Sequence, residues 1–165
     1  MHAKAANASL EVLLRAIQIE ARNAAVYESL AQLFQGYDDS VSALFREMAE
    51  EERQHGAQLQ QRYGERFGPV PTAVEKPKEV IEAPDLNDPE AMIFDSMTIE
   101  EALEIGLRAE QEAREFYRQE VARTPDPELR TAYQELGEFE ETHVRLLKEK
   151  LAQRRRAKGS DPEVR

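Results

Sequence analysis

The amino-acid sequence predicts an all-α protein, a four-helix bundle made of two helical hairpins joined by a long crossover. Four long stretches have apolar residues at alternating spacings of three and four, as in helices with one buried face. These stretches are rich in Ala, Leu, Glu, Gln and Arg, whose intrinsic preference is helical. The pattern of the first half recurs in the second half, which indicates that a hairpin has been duplicated.

The first predicted hairpin comprises helices at residues 9–35 and 39–66. In its first helix, one polar residue, Glu20, interrupts the apolar stripe. In its second helix, the stripe is interrupted by Glu52 and His55, which lie one helical turn apart on the same face. Polar side chains within a buried stripe are costly unless something compensates for them, so these positions are candidates for function.

The second predicted hairpin comprises helices at residues 98–123 and 127–156, and its apolar stripes have the same interruptions. Glu110 lies 90 positions after its counterpart in the first hairpin, and Glu140 and His143 lie 88 positions after theirs. Because the polar residues recur in register, the duplication includes the candidate functional positions as well as the helices.

Capping residues mark where three of the predicted helices begin. Either Asp38 or Asp39 is expected to be the N-cap of the second helix. Thr98 and Glu101 have the spacing of a capping box at the start of the third helix. Asp126 is expected to cap the fourth helix.

The whole chain, residues 1–165, is predicted to be a single domain. The segment 64–97 contains five prolines and no sustained helical pattern, and it is long enough to run along the bundle as a crossover. The sequence leaves open whether this segment closes the bundle within one chain or exchanges hairpins between two chains. The tail at residues 157–165 is expected to be flexible.

Composition excludes several classes of site and partner. Because the chain has no cysteine, it has no disulfide, no cysteine-ligated zinc and no iron–sulfur centre. The net charge of −11 argues against a nucleic-acid partner, since phosphate contacts need a basic face. No apolar run has the length of a signal peptide or a membrane span, so we expect no membrane partner and a cytoplasmic location.

The polar interruptions have the composition of a site for two metal ions. Each half of the chain supplies a Glu seven residues before a Tyr, and then a Glu three residues before a His. Four carboxylates clustered in an apolar core would repel one another, whereas two divalent cations would neutralise them and two imidazoles would complete the coordination. The candidate metal ligands are therefore Glu20, Glu52, His55, Glu110, Glu140 and His143, with Tyr27 and Tyr117 beside them.

In these motifs the chain resembles the rubrerythrin and bacterioferritin branch of the ferritin-like superfamily, over roughly residues 9–156. The resemblance is carried by Glu20 with Tyr27, Glu52-Arg53-Gln54-His55, Glu110 with Tyr117, and Glu140-Glu141-Thr142-His143. It implies a ferritin-like bundle with a di-iron centre. It also implies that Glu20 and His55 hold one metal, Glu110 and His143 hold the other, Glu52 and Glu140 bridge them, and Tyr27 and Tyr117 donate hydrogen bonds to ligand carboxylates.

Two departures from the rubrerythrin pattern bear on the reaction. Full rubrerythrins have a rubredoxin domain with iron-binding cysteines, and this cysteine-free sequence lacks that domain. Many rubrerythrins also have a further Glu three residues after the third-helix ligand, where this chain has Ala113. The site is therefore more similar to the symmetric site of bacterioferritin.

The resemblance favours iron, although oxygen-rich ligands with two imidazoles also suit manganese or zinc. The favoured function is an oxidoreductase that oxidises Fe(II) with O₂ or H₂O₂, as a ferroxidase or as a peroxidase served by an external electron-donor protein, with a role in oxidative stress. The alternatives are a subunit that stores or delivers iron without steady turnover, and a di-manganese protein that removes peroxide. A substrate oxygenase would need a pocket beside the metals. We expect a homo-oligomer, a dimer or larger.

Overall fold

The computed structural model of the protein describes residues 2–71 and 97–159. Within these ranges it contains four α-helices and no β-strand, which confirms the predicted all-α fold class. The helices are α1 (His2–Phe34), α2 (Asp39–Phe67), α3 (Ile99–Arg123) and α4 (Pro127–Gly159). They belong to two compact units, of which one contains α1 and α2 and the other contains α3 and α4.

Two helix boundaries differ from the predicted ones by three residues or more. α1 begins at His2 rather than at residue 9, because the first residues lack apolar periodicity but include four alanines, which favour helix strongly. α4 continues to Gly159 rather than ending at residue 156. None of the helices in the described ranges combines the length and the apolar character that crossing a membrane requires.

The crossover predicted at residues 64–97 is described only near its two ends. α2 extends into it as far as Phe67 and ends at Gly68, which has a φ of 89° and whose N–H donates to the carbonyl four residues earlier. Glycine suits this end of the helix because a positive φ is strained for other residues. Residues 72–96 and 160–165 lie outside the described part of the chain, so the crossover, the flexible tail and the single domain stay predictions.

The predicted caps are present at the starts of α2, α3 and α4. Of the two aspartates considered for α2, Asp38 is the N-cap, and its side chain accepts a hydrogen bond from the Val41 N–H at 3.1 Å. Thr98 and Glu101 form a reciprocal capping box at the start of α3. The side chain of Asp126 accepts backbone hydrogen bonds in the first turn of α4. Each cap satisfies backbone donors that a helix start leaves without an intrahelical partner.

In the first unit, α1 packs along α2 through a buried aromatic stack and a buried hydrogen bond. The rings of Tyr27 and Phe45 are stacked with their centroids 6.0 Å apart. One turn towards the connecting turn, the Ser42 hydroxyl donates to the carbonyl of Ala31 at 2.7 Å. The aromatic stack sets the register of the two helices, and therefore the relative heights of the polar residues on each, and the hydrogen bond adds stability near the connecting turn.

In the second unit, α3 packs along α4 through the equivalent aromatic pair. The rings of Tyr117 and Tyr133 are stacked with their centroids 6.1 Å apart. At the far end of the hairpin, Arg155 forms an ion pair with Glu104 at 2.9 Å. The predicted duplication is therefore visible in the packing of each hairpin as well as in the sequence.

Candidate metal centre

The first hairpin brings three candidate ligands together within its own core. Glu20 on α1 and Glu52 on α2 are fully buried, and His55 is 5% exposed. One ligand atom from each of these three side chains lies within 4.8 Å of the others. The contact between the helices runs from His55 Nδ1 to Glu20 Oε2, at 3.4 Å. These three side chains are the polar interruptions of the apolar stripes in the first hairpin.

The second hairpin repeats the arrangement with its own three residues. Glu110 on α3 and Glu140 on α4 are fully buried, and His143 is 3% exposed. One ligand atom from each of the three lies within 4.8 Å of the others. His143 Nδ1 faces Glu110 Oε2 at 3.5 Å, which is the same pair of atoms as in the first hairpin. Each hairpin therefore contains a half-site made of two glutamates and one histidine.

The helices approach each other closely at the level of these half-sites. A Cβ atom placed on Gly56, next to His55, would lie 3.5 Å from the Cβ of Glu20. In the other hairpin, a Cβ placed on Gly137 would lie 3.5 Å from the Cβ of Tyr117. A distance of 3.5 Å is an ordinary van der Waals contact, so the two helices of each hairpin are closely packed at these points.

The separation of the ligand atoms fits a shared first-row metal ion. Donors that each lie about 2.1 Å from one ion are about 3.0–3.4 Å apart at octahedral or tetrahedral angles. Of the two His–Glu separations, 3.4 Å lies at the upper end of that range and 3.5 Å lies just beyond it. Carboxylate oxygens with imidazole nitrogens suit iron, manganese and zinc. The donors in each hairpin therefore fit a metal ion in both type and spacing.

Tyr27 and Tyr117 lie at equivalent positions, seven residues after Glu20 and Glu110. Both tyrosines are fully buried and stack on an aromatic ring of the neighbouring helix. The side chains therefore belong to the same buried faces as the acidic ligands. Their donation of hydrogen bonds to ligand carboxylates stays a prediction.

The residues between the Glu and the His of each motif face outward. Arg53 of the first motif pairs across the hairpin with Glu28 at 3.3 Å. Glu141 of the second motif pairs with Arg114 at 2.6 Å. All four side chains are at least one-third exposed, so the pairs tie the helices together from outside and contribute modestly to stability.

One buried polar residue near the first half-site was not singled out from the sequence. Asn23 lies on α1 three residues after Glu20 and is fully buried. In the sequence it is surrounded by Arg22 and alanines, so it has the appearance of an ordinary polar residue on the edge of an amphipathic helix. Its position on the same face as Glu20 was the available signal.

Comparison with known proteins places the chain in a family. The family model described as rubrerythrin matches residues 11–151, which is most of the chain. The crystal structure of an uncharacterized conserved protein from Magnetospirillum magnetotacticum MS-1 is similar, with a TM-score of 0.68 and 23% sequence identity. The similarity covers 86% of this chain and 92% of that chain. At that identity the likeness shows the fold alone. Comparison with curated proteins gives no significant match. The chain therefore belongs to the rubrerythrin family, within the ferritin-like di-iron superfamily.

Proposed function

We propose that the two hairpins together hold two iron ions and that the protein is an oxidoreductase that oxidises Fe(II) with O₂ or H₂O₂. The observation that carries this proposal is the repeated half-site, in which a histidine Nδ1 faces a buried carboxylate in each hairpin. The rubrerythrin family and the duplication in the sequence support one shared centre rather than two independent ones.

The proposal gives each side chain a task in holding the ions. Glu20 and His55 would hold one ion, Glu110 and His143 would hold the other, and Glu52 and Glu140 would contact both. Four glutamates supply four negative charges, which balance two divalent ions, and the two neutral imidazoles add no further charge. The bridging carboxylates would set the spacing of the ions, and the hydroxyls of Tyr27 and Tyr117 would orient the carboxylates.

When bound, two ferrous ions can together supply the two electrons that convert H₂O₂ to water. The chain contributes an enclosure that keeps bulk water away from these ions. Leu13 and Ile17 lie on the ligand face of α1 and are buried, as is Leu147 on α4. Fe(II) itself is the simplest reductant, because it requires no separate electron-donor protein. This favours ferroxidase activity over peroxide reduction that depends on a separate donor protein.

The experiment that tests this function loads the full chain with Fe(II) in the absence of oxygen and then adds O₂ or H₂O₂. We expect rapid formation of Fe(III), followed by absorbance, and further oxidation when Fe(II) is added again. His55→Ala should lose most of the rate, because it removes a proposed ligand. Gln54→Ala is the matched control, since Gln54 is the exposed neighbour of His55 on the same helix.

Two results would count against the proposed oxidoreductase. An oxidation rate for His55→Ala equal to that of the parent would show that the half-site takes no part. Uptake of many iron ions per chain without renewed oxidation would instead indicate a storage subunit. If manganese binds and iron does not, the protein would be a di-manganese protein that removes peroxide.

A further inference from the structure

Asn23 has a buried side-chain amide whose oxygen accepts hydrogen bonds and whose nitrogen has no acceptor among the described residues. Its Oδ1 accepts hydrogen bonds from Nε and Nη2 of Arg22, each at 3.4 Å. Its Nδ2 is buried and donates to no acceptor among the described residues. A buried donor without an acceptor is costly, so a group with hydrogen-bond-accepting atoms is expected beside it.

Asn23 lies close along α1 to Glu20 of the first half-site. Residues three apart on a helix lie one turn apart on the same face, with Cβ atoms about 5–6 Å from each other. Glu20, three residues earlier, is the ligand that faces His55 Nδ1. Both Asn23 and Glu20 are fully buried, so the amide is enclosed in the same part of the core as the ligand.

The duplicated hairpin shows that packing does not require an amide at this position. The equivalent of Asn23 in the second hairpin is Ala113, three residues after Glu110, and it is also fully buried. A methyl group therefore fills this position acceptably in one half of the chain. The amide in the other half adds a polar group where an apolar one suffices, which points to a role other than packing.

We infer that Asn23 is a positioning residue whose Nδ2 donates a hydrogen bond to a small anion, of the hydroperoxide or azide class, that enters the metal centre at the first half-site. This inference rests on the proposed function, because the metal ions would draw the anion into the core. Ala113 offers no such donor, so the anion is held at the Glu20 end rather than the Glu110 end. The two metal positions are then chemically distinct despite their matching ligands.

The test is titration of the iron-loaded, oxidised protein with azide, followed through the absorption band that azide gives with ferric iron. We expect Asn23→Ala to bind the same amount of iron as the parent but to bind azide about tenfold more weakly, with a shifted band, because a hydrogen bond to an anion is lost. Asn23→Asp keeps the size of the side chain and replaces the donor by a carboxylate, so it should weaken azide binding further.

Ser42→Ala is the matched control, since Ser42 is a buried polar residue of the same hairpin that bonds to Ala31 well away from the half-site. It should lower the melting temperature and leave azide binding unaltered. In the metal-free protein, Asn23→Ala should melt no lower than the parent, because it removes a buried donor without an acceptor.

Unaltered azide affinity and an unaltered band in both Asn23 variants would overturn the inference while leaving the di-iron proposal intact. A parent protein that takes up no pair of metal ions would overturn both, and metal analysis detects this before azide is added. If Asn23→Ala does not fold, the comparison is made with Asn23→Asp alone, which has the same shape as the parent side chain.

Discussion

The same pair of atoms, a histidine Nδ1 and a glutamate Oε2, faces across each hairpin of this protein. The separations are 3.4 Å for His55 and Glu20 and 3.5 Å for His143 and Glu110. Burying several carboxylates in one core is unfavourable without a cation, because each loses its hydration. The metal-free protein therefore retains these groups at a cost in stability, and a bound cation would convert them into stabilising ligands.

The proposed bridging ligands can be tested one residue at a time. We expect Glu52→Ala and Glu140→Ala each to lose most metal binding, because each removes a carboxylate that touches both ions in the proposal. The measurement is metal content per chain after equilibrium dialysis. Glu51→Ala and Glu141→Ala are the controls, since both residues are exposed neighbours on the same helices. Metal content that stays at the parental level in both bridging variants would show that the assignment is wrong.

The hairpin is the repeated element of this fold, and its two copies keep the features that position the ligands. In each copy an aspartate caps the second helix, and an aromatic stack fixes the register of the two helices two turns before the Glu of the Glu–His pair. These features were predictable because caps and apolar stripes are local patterns that recur in register. The start of α1 was not, because the alanine-rich segment from His2 forms helix by intrinsic preference without an apolar stripe.

The capping box of α3 offers a test of local stability. Thr98→Ala removes the hydroxyl that accepts from the Glu101 N–H at 3.2 Å, so we expect the free energy of unfolding to fall by about 1 kcal/mol. Chemical denaturation at neutral pH measures this difference. Metal binding should be unaffected, because the cap lies more than two turns before Glu110. A loss of metal together with unchanged stability would contradict this interpretation.

The same capping box predicts how acid affects this helix. The backbone N–H and then the hydroxyl of Thr98 donate to Glu101 and lower the pKa of that carboxyl from its ordinary value of 4.5. A lowered pKa means that the stabilisation is complete above pH 4.5 and is lost as the pH falls through the lower, folded-state value. We expect Glu101→Gln to be less stable than the parent at neutral pH and the difference to shrink in acid. A difference that grows as the pH falls would contradict this sign.

Over the whole chain, the six candidate ligands were predictable because each interrupts an apolar stripe and each recurs in the second half. Within each hairpin the three candidate ligands lie close together, which is compatible with that interpretation, and their role as metal ligands stays a prediction. Asn23 could not be recognised in the same way, because its counterpart is Ala113 and an isolated asparagine leaves no repeated pattern. Only the three-dimensional structure shows that Asn23 is buried and that its Nδ2 has no acceptor among the described residues.

Metal binding is expected to stabilise the folded protein as a whole. A ligand that binds only the folded state raises stability by about 2.7 kcal/mol at one hundred times its dissociation constant. We therefore expect the melting temperature to rise when Fe(II) is added without oxygen and to fall when a chelator removes it. Calorimetry of the metal-free and loaded forms provides the measurement. Equal melting temperatures in the two forms would argue against a metal site in the core.

The most direct measurement is anomalous X-ray scattering at the iron absorption edge from crystals of protein purified from its native host. We predict two iron peaks in one centre, one beside His55 and the other beside His143, with Glu52 and Glu140 in contact with both. Absence of metal at these residues, or His55 and His143 far apart and facing water, would contradict the proposed di-iron centre.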